Sequence, residues 1–261
     1  MLKKRLIGVV TIRNGWAVQS FGYNRYLPLG KPECLVENLD RWGADEILVR
    51  VIDRSIGNKG PDLELLERLA RLGLETPLIY GGGIRTVTDG VQVIQGGADR
   101  LMVDTLLHDS LAVVRDLAER LGSQAVIASM PLGLNDEKLG WLDYRKNISG
   151  VIGDNVMALL EQRVVSEVLL NDWQHDGHHI GFDKGLVQRF PLKNVPLIVF
   201  GGISEPHQMI ELLRQSNVAA VAVGNFLNYR EHALQKYKEA LPGMPVRSST
   251  YASGFSLLAN V

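Results

Sequence analysis

The sequence predicts an α/β fold, a (β/α)8 barrel built from two similar half-barrels, on three observations. The apolar run Leu197-Ile198-Val199-Phe200 stops at Gly201-Gly202-Ile203-Ser204, and a helical pattern follows at once. About 120 positions earlier the same unit stands as Leu78-Ile79-Tyr80, then Gly81-Gly82-Gly83-Ile84-Arg85. Each copy leads to one more short strand with a small or polar turn, Arg100–Asp104 before Thr105 and Ala219–Val223 before Gly224-Asn225. Eight strand–helix units alternate along the chain. Their strands are apolar on both sides, as parallel strands covered by helices must be. Eight such units close most simply as a barrel, with the site at the C-terminal ends of the strands. An open doubly wound sheet is the other closure, and the half-chain repeat favours the barrel.

In chain order, the first strand spans Leu6 to Ile12 and ends near the Asn14-Gly15 turn. A polar, aromatic loop from Trp16 to Gly30 follows, longer than usual for an α/β unit and suited to covering a site. Helices are expected at Pro32–Trp42, Asp62–Leu72, Thr86–Gln95, Ser110–Leu121, Asp154–Gln162, Lys184–Arg189, Pro206–Gln215 and Glu231–Leu241. Leu65, Leu66, Leu69 and Leu72 fall on one stripe, as do Leu111, Val114, Leu117, Ala118 and Leu121. Further strands are read at Glu46–Asp53, Pro77–Tyr80, Gln124–Met130, Ser166–Asn171 and Pro196–Phe200. Pro131-Leu132-Gly133 is taken to end the fifth strand. The loop from Gly133 to Gly150 holds Trp141-Leu142-Asp143-Tyr144-Arg145, whose alternation suggests a small hairpin. The barrel is expected to occupy residues 1–241, and residues 242–261 to form a partly ordered tail.

Of 261 residues 46% are apolar, enough for one large core, and the formal net charge is −1. That balance argues against a nucleic-acid groove or a polybasic membrane patch. A single cysteine, Cys34, excludes a disulfide framework within the chain and fits a reducing compartment. The basic opening Met1 to Arg5 has no cleavage pattern behind it and reads as the approach to a strand. No apolar run nears the ~20 residues of a membrane span, so a cytoplasmic protein is expected.

Glycine lets backbone N–H groups approach an anion, and a following helix adds a favourable dipole. The turns at Gly82-Gly83 and Asp104-Thr105 and those at Gly201-Gly202 and Gly224-Asn225 are therefore candidate phosphate sites on opposite sides of the mouth. Together they suggest a ligand with a phosphate at each end; the alternative is that the glycines only make tight turns. Asp104 with Thr105 suits either a ribose hydroxyl or a helix cap. His175, His178 and His179 lie within one loop, but adjacent histidines rarely ligate one ion, and no metal or cofactor is expected. Trp16 and Trp173 near the mouth suit stacking on a sugar or base equally with filling the rim.

Several motifs together resemble the cyclase subunit of imidazole glycerol phosphate synthase, over roughly Lys4 to Tyr237. They are Gly43-Ala44-Asp45-Glu46, Tyr80-Gly81-Gly82-Gly83-Ile84, Gly97-Ala98-Asp99-Arg100, Gly122-Ser123-Gln124-Ala125-Val126, Glu167-Val168-Leu169-Leu170, Asp176-Gly177 with Gly181-Phe182-Asp183, and Phe226-Leu227-Asn228-Tyr229-Arg230-Glu231. The resemblance implies a partner glutaminase on the N-terminal barrel face, with ammonia passing through the barrel to a phosphorylated substrate. It places an entrance ring of charges on Arg5, Glu46, Arg100 and Glu167, a partner contact on Asp99, and phosphate contacts that include Gly177. It also exposes a departure. The family's two catalytic aspartates fall on Thr11 and Pro131, and neither side chain suits proton transfer. Asp53, Asp104, Asp172 and Asp176 are the nearby acids. Asp176 matches a family position, so Asp176 and Thr11 are the catalytic candidates. The pattern is most similar to second copies of this subunit in surface-polysaccharide gene clusters, thought to deliver ammonia to a downstream sugar amidotransferase. An active cyclase of histidine biosynthesis and a non-catalytic phosphate-ligand binding protein are the alternatives.

Overall fold

The computed structural model describes residues 3–229 and 232–247; the expected helix start at Glu231 and the tail from residue 248 lie outside the described residues. Twelve strands are described: β1 (Arg5–Arg13), β2 (Trp16–Phe21), β3 (Arg25–Gly30), β4 (Glu46–Val51), β5 (Leu78–Gly81), β6 (Arg100–Val103), β7 (Val126–Asn135), β8 (Lys138–Asp143), β9 (Ile148–Gly150), β10 (Glu167–Asp172), β11 (Leu197–Phe200) and β12 (Val218–Val223). Eight of them pair in parallel in the order β1, β4, β5, β6, β7, β10, β11, β12, and β12 returns to β1. The sheet is a closed (β/α)8 barrel, as the repeat predicted.

The halves share more than their glycine turns. β1 leaves β12 after Gly8 and takes up antiparallel β2 from Thr11, with β3 beyond it. Likewise β7 leaves β6 after Ala128 and takes up antiparallel β8 from Leu132, with β9 beyond it. The first strand of each half therefore rises above the rim as a three-stranded ribbon. Two sequence expectations are corrected here. The stretch from Trp16 to Gly30 is a hairpin rather than a loop. β7 does not end at Pro131 but runs on to Asn135. Pro131 falls where that edge of β7 has left β6 and not yet met β8, so its missing N–H breaks no ladder there. The second hairpin turns at Asp136 and Glu137, both at positive φ, upstream of the Trp141–Arg145 stretch.

Helices cover the outside and begin at local signals. Thr86 and Asp89 form a reciprocal capping box at the helix Val87–Gln95. Asp62 caps Leu63–Ala70 by accepting from the Leu65 N–H. Pro32 opens Pro32–Arg41, where its missing N–H has no role. Leu65, Leu66, Leu69, Val114 and Leu117 are fully buried between helices and barrel. Inside the barrel a separate core is made by alternate strand residues, among them Ile7, Leu48, Ile79, Ile127, Leu169 and Ile198. Of the expected tail, Met244 and Val246 pack against the outer core, and the Lys4 N–H donates to the Pro245 carbonyl.

The paired glycines are fixed by packing. A Cβ on Gly82 would lie 2.3 Å from the Val51 carbonyl oxygen, and one on Gly201 would lie 2.4 Å from that of Asp172. Gly83 and Gly202 similarly approach the carbonyls of Gly60 and Gly181. All four have positive φ. Close turn packing against the preceding strand end thus accounts for the glycines in both halves, whatever anion they also admit. Replacing Gly82 or Gly201 by alanine is expected to destabilise by more than ~2 kcal/mol in chemical unfolding. Gly150→Ala, where a Cβ meets nothing within 4 Å, is the near-neutral control.

Candidate functional site

At the foot of the barrel the strand alternation turns Arg5, Glu46, Arg100 and Glu167 inward, one layer below the apolar core. They close into a ring. Arg5 donates to Glu46 at 2.9 Å and also to Glu167, while Arg100 donates to Glu46 at 3.0 Å and to Glu167 at 2.6 Å. Each carboxylate thus meets both guanidinium groups, which offsets the cost of taking four charges largely out of water. Burial works against the Glu167 carboxylate, but Arg5 and Arg100 outweigh it and hold its pKa below the ordinary value. Asp99 lies exposed beside this face, its carboxylate accepting from the Leu78 N–H at 2.8 Å.

The opposite end differs. The same alternation points Thr11, Arg50, Asp104, Pro131 and Asn171 toward the mouth. Tyr23, at the tip of the β2–β3 hairpin and at positive φ, folds over it. The Tyr23 hydroxyl accepts from Arg50 at 2.8 Å and also from Asn171. Arg50 is on β4 and Asn171 on β10, diametrically opposite strands, so Tyr23 spans the opening and divides it. The Arg50 guanidinium lies over the Phe200 ring, 5.1 Å from its centroid.

On one side of Tyr23 lies a cleft of about 650 Å3, part of it open to solvent, bounded by Tyr26, Arg50, Gly82, Asp104, Thr105 and Tyr144 among others. On the other side is a smaller space of about 230 Å3 beside Asp176, Gly177, Gly201, Gly202, Gly224 and Asn225. The predicted phosphate residues are therefore gathered into two groups, one per half, as the repeat implied. The second group is engaged by the hairpin. Asn225 accepts from the Ser20 N–H at 3.1 Å and donates to the Ser20 carbonyl at 2.7 Å. Asp176 accepts from the Ser20 hydroxyl at 2.6 Å, and its carbonyl takes the Gly22 N–H. A Cβ on Gly177 would meet the Ser20 carbonyl at 2.4 Å. Thr11 is buried on β1 under this hairpin.

Burial raises the carboxyl pKa of Asp176, Asp172 and Asp104. Asp104 reaches about 7, burial being opposed by Arg50 and Arg145. Its Oδ1 has no hydrogen-bond partner in the chain. Asp172 is tied to His175 at 2.6 Å and to the Asp183 N–H at 2.8 Å, which fixes the histidine loop. His179 packs on Phe226. Among the described residues, no three His, Cys, Asp or Glu side chains converge as metal ligands, and no helix is long and apolar enough to cross a membrane.

A family model described as histidine biosynthesis protein matches residues 5–233. The chain belongs to that family. It is 28% identical over 253 residues to the imidazole glycerol phosphate synthase subunit HisF of Caulobacter vibrioides (strain NA1000 / CB15N), covering 95% of this chain and 97% of the relative. With HisF of Thermococcus gammatolerans it shares 29% over 253 residues, 95% of this chain and 99% of the relative. With the putative subunit hisF2 of Vibrio vulnificus (strain YJ016) it shares 28% over 235 residues, 89% and 86%. Its homology thus lies with the HisF barrels of imidazole glycerol phosphate synthase.

Against that family frame, sequence reasoning passed over two residues, Arg50 and Tyr23. A charge inside the strand Glu46-Ile-Leu-Val-Arg50-Val was the available signal for Arg50. Nothing local marked Tyr23 as the residue that crosses the mouth.

Glu167→Gln leaves two arginines facing one carboxylate and is expected to cost about 2–3 kcal/mol at pH 7, discounted for the partial exposure of both arginines. Because the Glu167 pKa is depressed in the fold, that stabilisation is present above its ordinary value near 4.5 and is lost as pH falls through the lower folded value. Unfolding curves should therefore separate the two proteins at pH 7 and converge in acid. Asp104 has the opposite sign. Its folded pKa is raised from 3.8 to about 7, so its ionisation erodes stability as pH rises through that window. Asp104→Asn should match the parent near pH 4 and exceed it at pH 8, by an order of a few kcal/mol in denaturant midpoints.

Proposed function

We propose that this chain is the ammonia-receiving barrel of a glutamine-dependent amidotransferase. In this reading a glutaminase subunit docks on the N-terminal barrel face, and ammonia is delivered for C–N bond formation in surface-polysaccharide sugar modification. The observation that carries the proposal is the closed ring of Arg5, Glu46, Arg100 and Glu167 below an apolar interior, in a chain whose family aspartate positions hold Thr11 and Pro131.

The chemistry supports it at both ends. Neutral ammonia can enter an interior lined by Ile7, Leu48, Ile79, Ile127 and Leu169, whereas a desolvated ammonium ion is strongly disfavoured there. The ring is shut in the free chain, so passage requires the partner to draw one arginine aside. Asp99, exposed beside the ring, is the proposed contact for that partner. At the mouth, ring closure on a bis-phosphate substrate needs a pair of proton-transfer groups. Thr11 and Pro131 supply none, and Asp176 is held by Ser20. Ammonia would instead pass to a downstream sugar amidotransferase acting on an N-acetylated sugar. A retained cyclase is the second reading, favoured by Asp104, a mouth carboxyl whose pKa is pushed up to about 7.

The test pairs the purified chain with a glutaminase subunit of imidazole glycerol phosphate synthase and supplies the bis-phosphate ribonucleotide. Glutamine hydrolysis is expected to rise at least ten-fold on adding the chain, with no imidazole product. Glu167→Gln should uncouple ammonia delivery while the two subunits still associate. No change in hydrolysis sinks the proposal, and imidazole product transfers the assignment to a cyclase.

A further inference from the structure

Arg50 is buried at the junction of the barrel interior and the larger cleft, and among the described residues it makes no ion pair. Its hydrogen bond goes to a neutral phenol, and its flat faces lie against Tyr23 and Phe200. Burial disfavours its charge; Tyr23, Asp176 and Asp104, in that order, outweigh burial and keep it protonated. Those acids act from beyond ion-pair distance. Asp176 is occupied by Ser20, and Asp104 borders the cleft with Oδ1 unpartnered. A buried guanidinium without a paired anion is costly, and five N–H donors in a planar fork suit an oxyanion. The cleft it borders opens to solvent and is lined by Asp104, Thr105 and the Gly82-Gly83 turn.

We propose that the cleft over the first half-barrel is a self-contained binding site for a small hydroxylated or aminated ligand bearing one oxyanion, phosphate or carboxylate. The oxyanion pairs with Arg50, a hydroxyl or amino group donates to Asp104, and Tyr23 excludes ligands that span the mouth. The exclusion follows from geometry. Tyr23 is held from both walls, by Arg50 on β4 and Asn171 on β10, and Ser20 occupies Asn225 and Asp176 on the far side. A second phosphate would have to pass Tyr23 to reach the space beside the other glycine pair. The site is independent of any glutaminase, so its success or failure leaves the ammonia reading to its own assay.

The test is calorimetric titration of the full chain, without a partner, using sulfate, ribose 5-phosphate and ribulose 1,5-bisphosphate. Sulfate keeps its charge across neutral pH and isolates the protein's own titration. Ribose 5-phosphate is expected to bind at least ten-fold tighter than the bisphosphate, and Tyr23→Ala to narrow that gap at least three-fold. Arg50→Met should fold and lose at least ten-fold in sulfate affinity, with partial recovery in Arg50→Lys. Sulfate should bind more weakly as pH rises from 6 to 8, as Asp104 ionises and competes for Arg50. The groups facing Asp104 are Arg50 from β4, Asp143 from β8, Arg145 from the loop after it, and Tyr23 and Tyr144. Burial lowers the pKa of His108, near Asp143, and Asp104→Asn separates the two groups by abolishing the slope. Sulfate affinity unchanged in Arg50→Met, or no probe binding to the parent at any pH, overturns the proposal. So does a bisphosphate that binds the parent as tightly as ribose 5-phosphate. Should Arg50→Met not fold, persistence of the pH slope in Asp104→Asn is the overturning result.

Discussion

The two-residue period of β4 and β10 is the constraint on which both ends of the molecule depend. Glu46, Leu48 and Arg50 lie on one face of one strand, and Glu167, Leu169 and Asn171 on one face of the strand opposite. At the foot Arg5 and Arg100 join the two glutamates, in the middle the leucines enter the inner core, and at the mouth Tyr23 joins Arg50 to Asn171. The same pair of strands is therefore tied across the barrel axis at both rims, by ions below and by a phenol above. A slip of one residue in either strand would turn all three layers outward at once. The two ends are thus coupled to the fold through that single register.

The duplication explains which positions were free to change. In each half the first strand leaves its neighbour, runs unpaired on that edge for two or three residues, and then enters a hairpin. Thr11 and Pro131 stand at these changeovers. A proline is accommodated at the second because no donor is required there. Slack in the ladder thus admits the Pro131 ring, whereas Thr11 already pairs with Val18 of β2. The glycine pairs have no such slack, since a single carbon would meet a carbonyl.

Those contrasts also account for what the sequence disclosed. Strand and helix positions, both halves and both glycine pairs were legible because each depends on local periodicity and turn chemistry. The members of the charged ring were legible through family motifs, although their closure into one cycle is a property of the assembled barrel. The hairpin at Trp16–Gly30 was not, because its pairing partner is β1 and buried Gln19 and Ser20 read as loop residues in the sequence. Tyr23 and Arg50 escaped for a related reason. One sits on a tip whose destination is set by the ribbon's curvature. The other is read as an ordinary strand charge until the opposite wall is known.

The mouth that results is asymmetric although its scaffold is doubled. Both halves present a strand end, a glycine pair and a further turn. In the second half the β2 hairpin lays Ser20 against Asp176 and Asn225, so polar groups that a phosphate would need are already satisfied within the chain. In the first half the corresponding hairpin, β8 and β9, instead brings Tyr144 to the rim of an open cleft. Burial raises the pKa of both carboxyls, but Asp176 accepts from the Ser20 hydroxyl, whereas Asp104 borders the cleft with Oδ1 unpartnered. A symmetric barrel has thus been made one-sided by the placement of a single hairpin, and its chemistry follows the side left open.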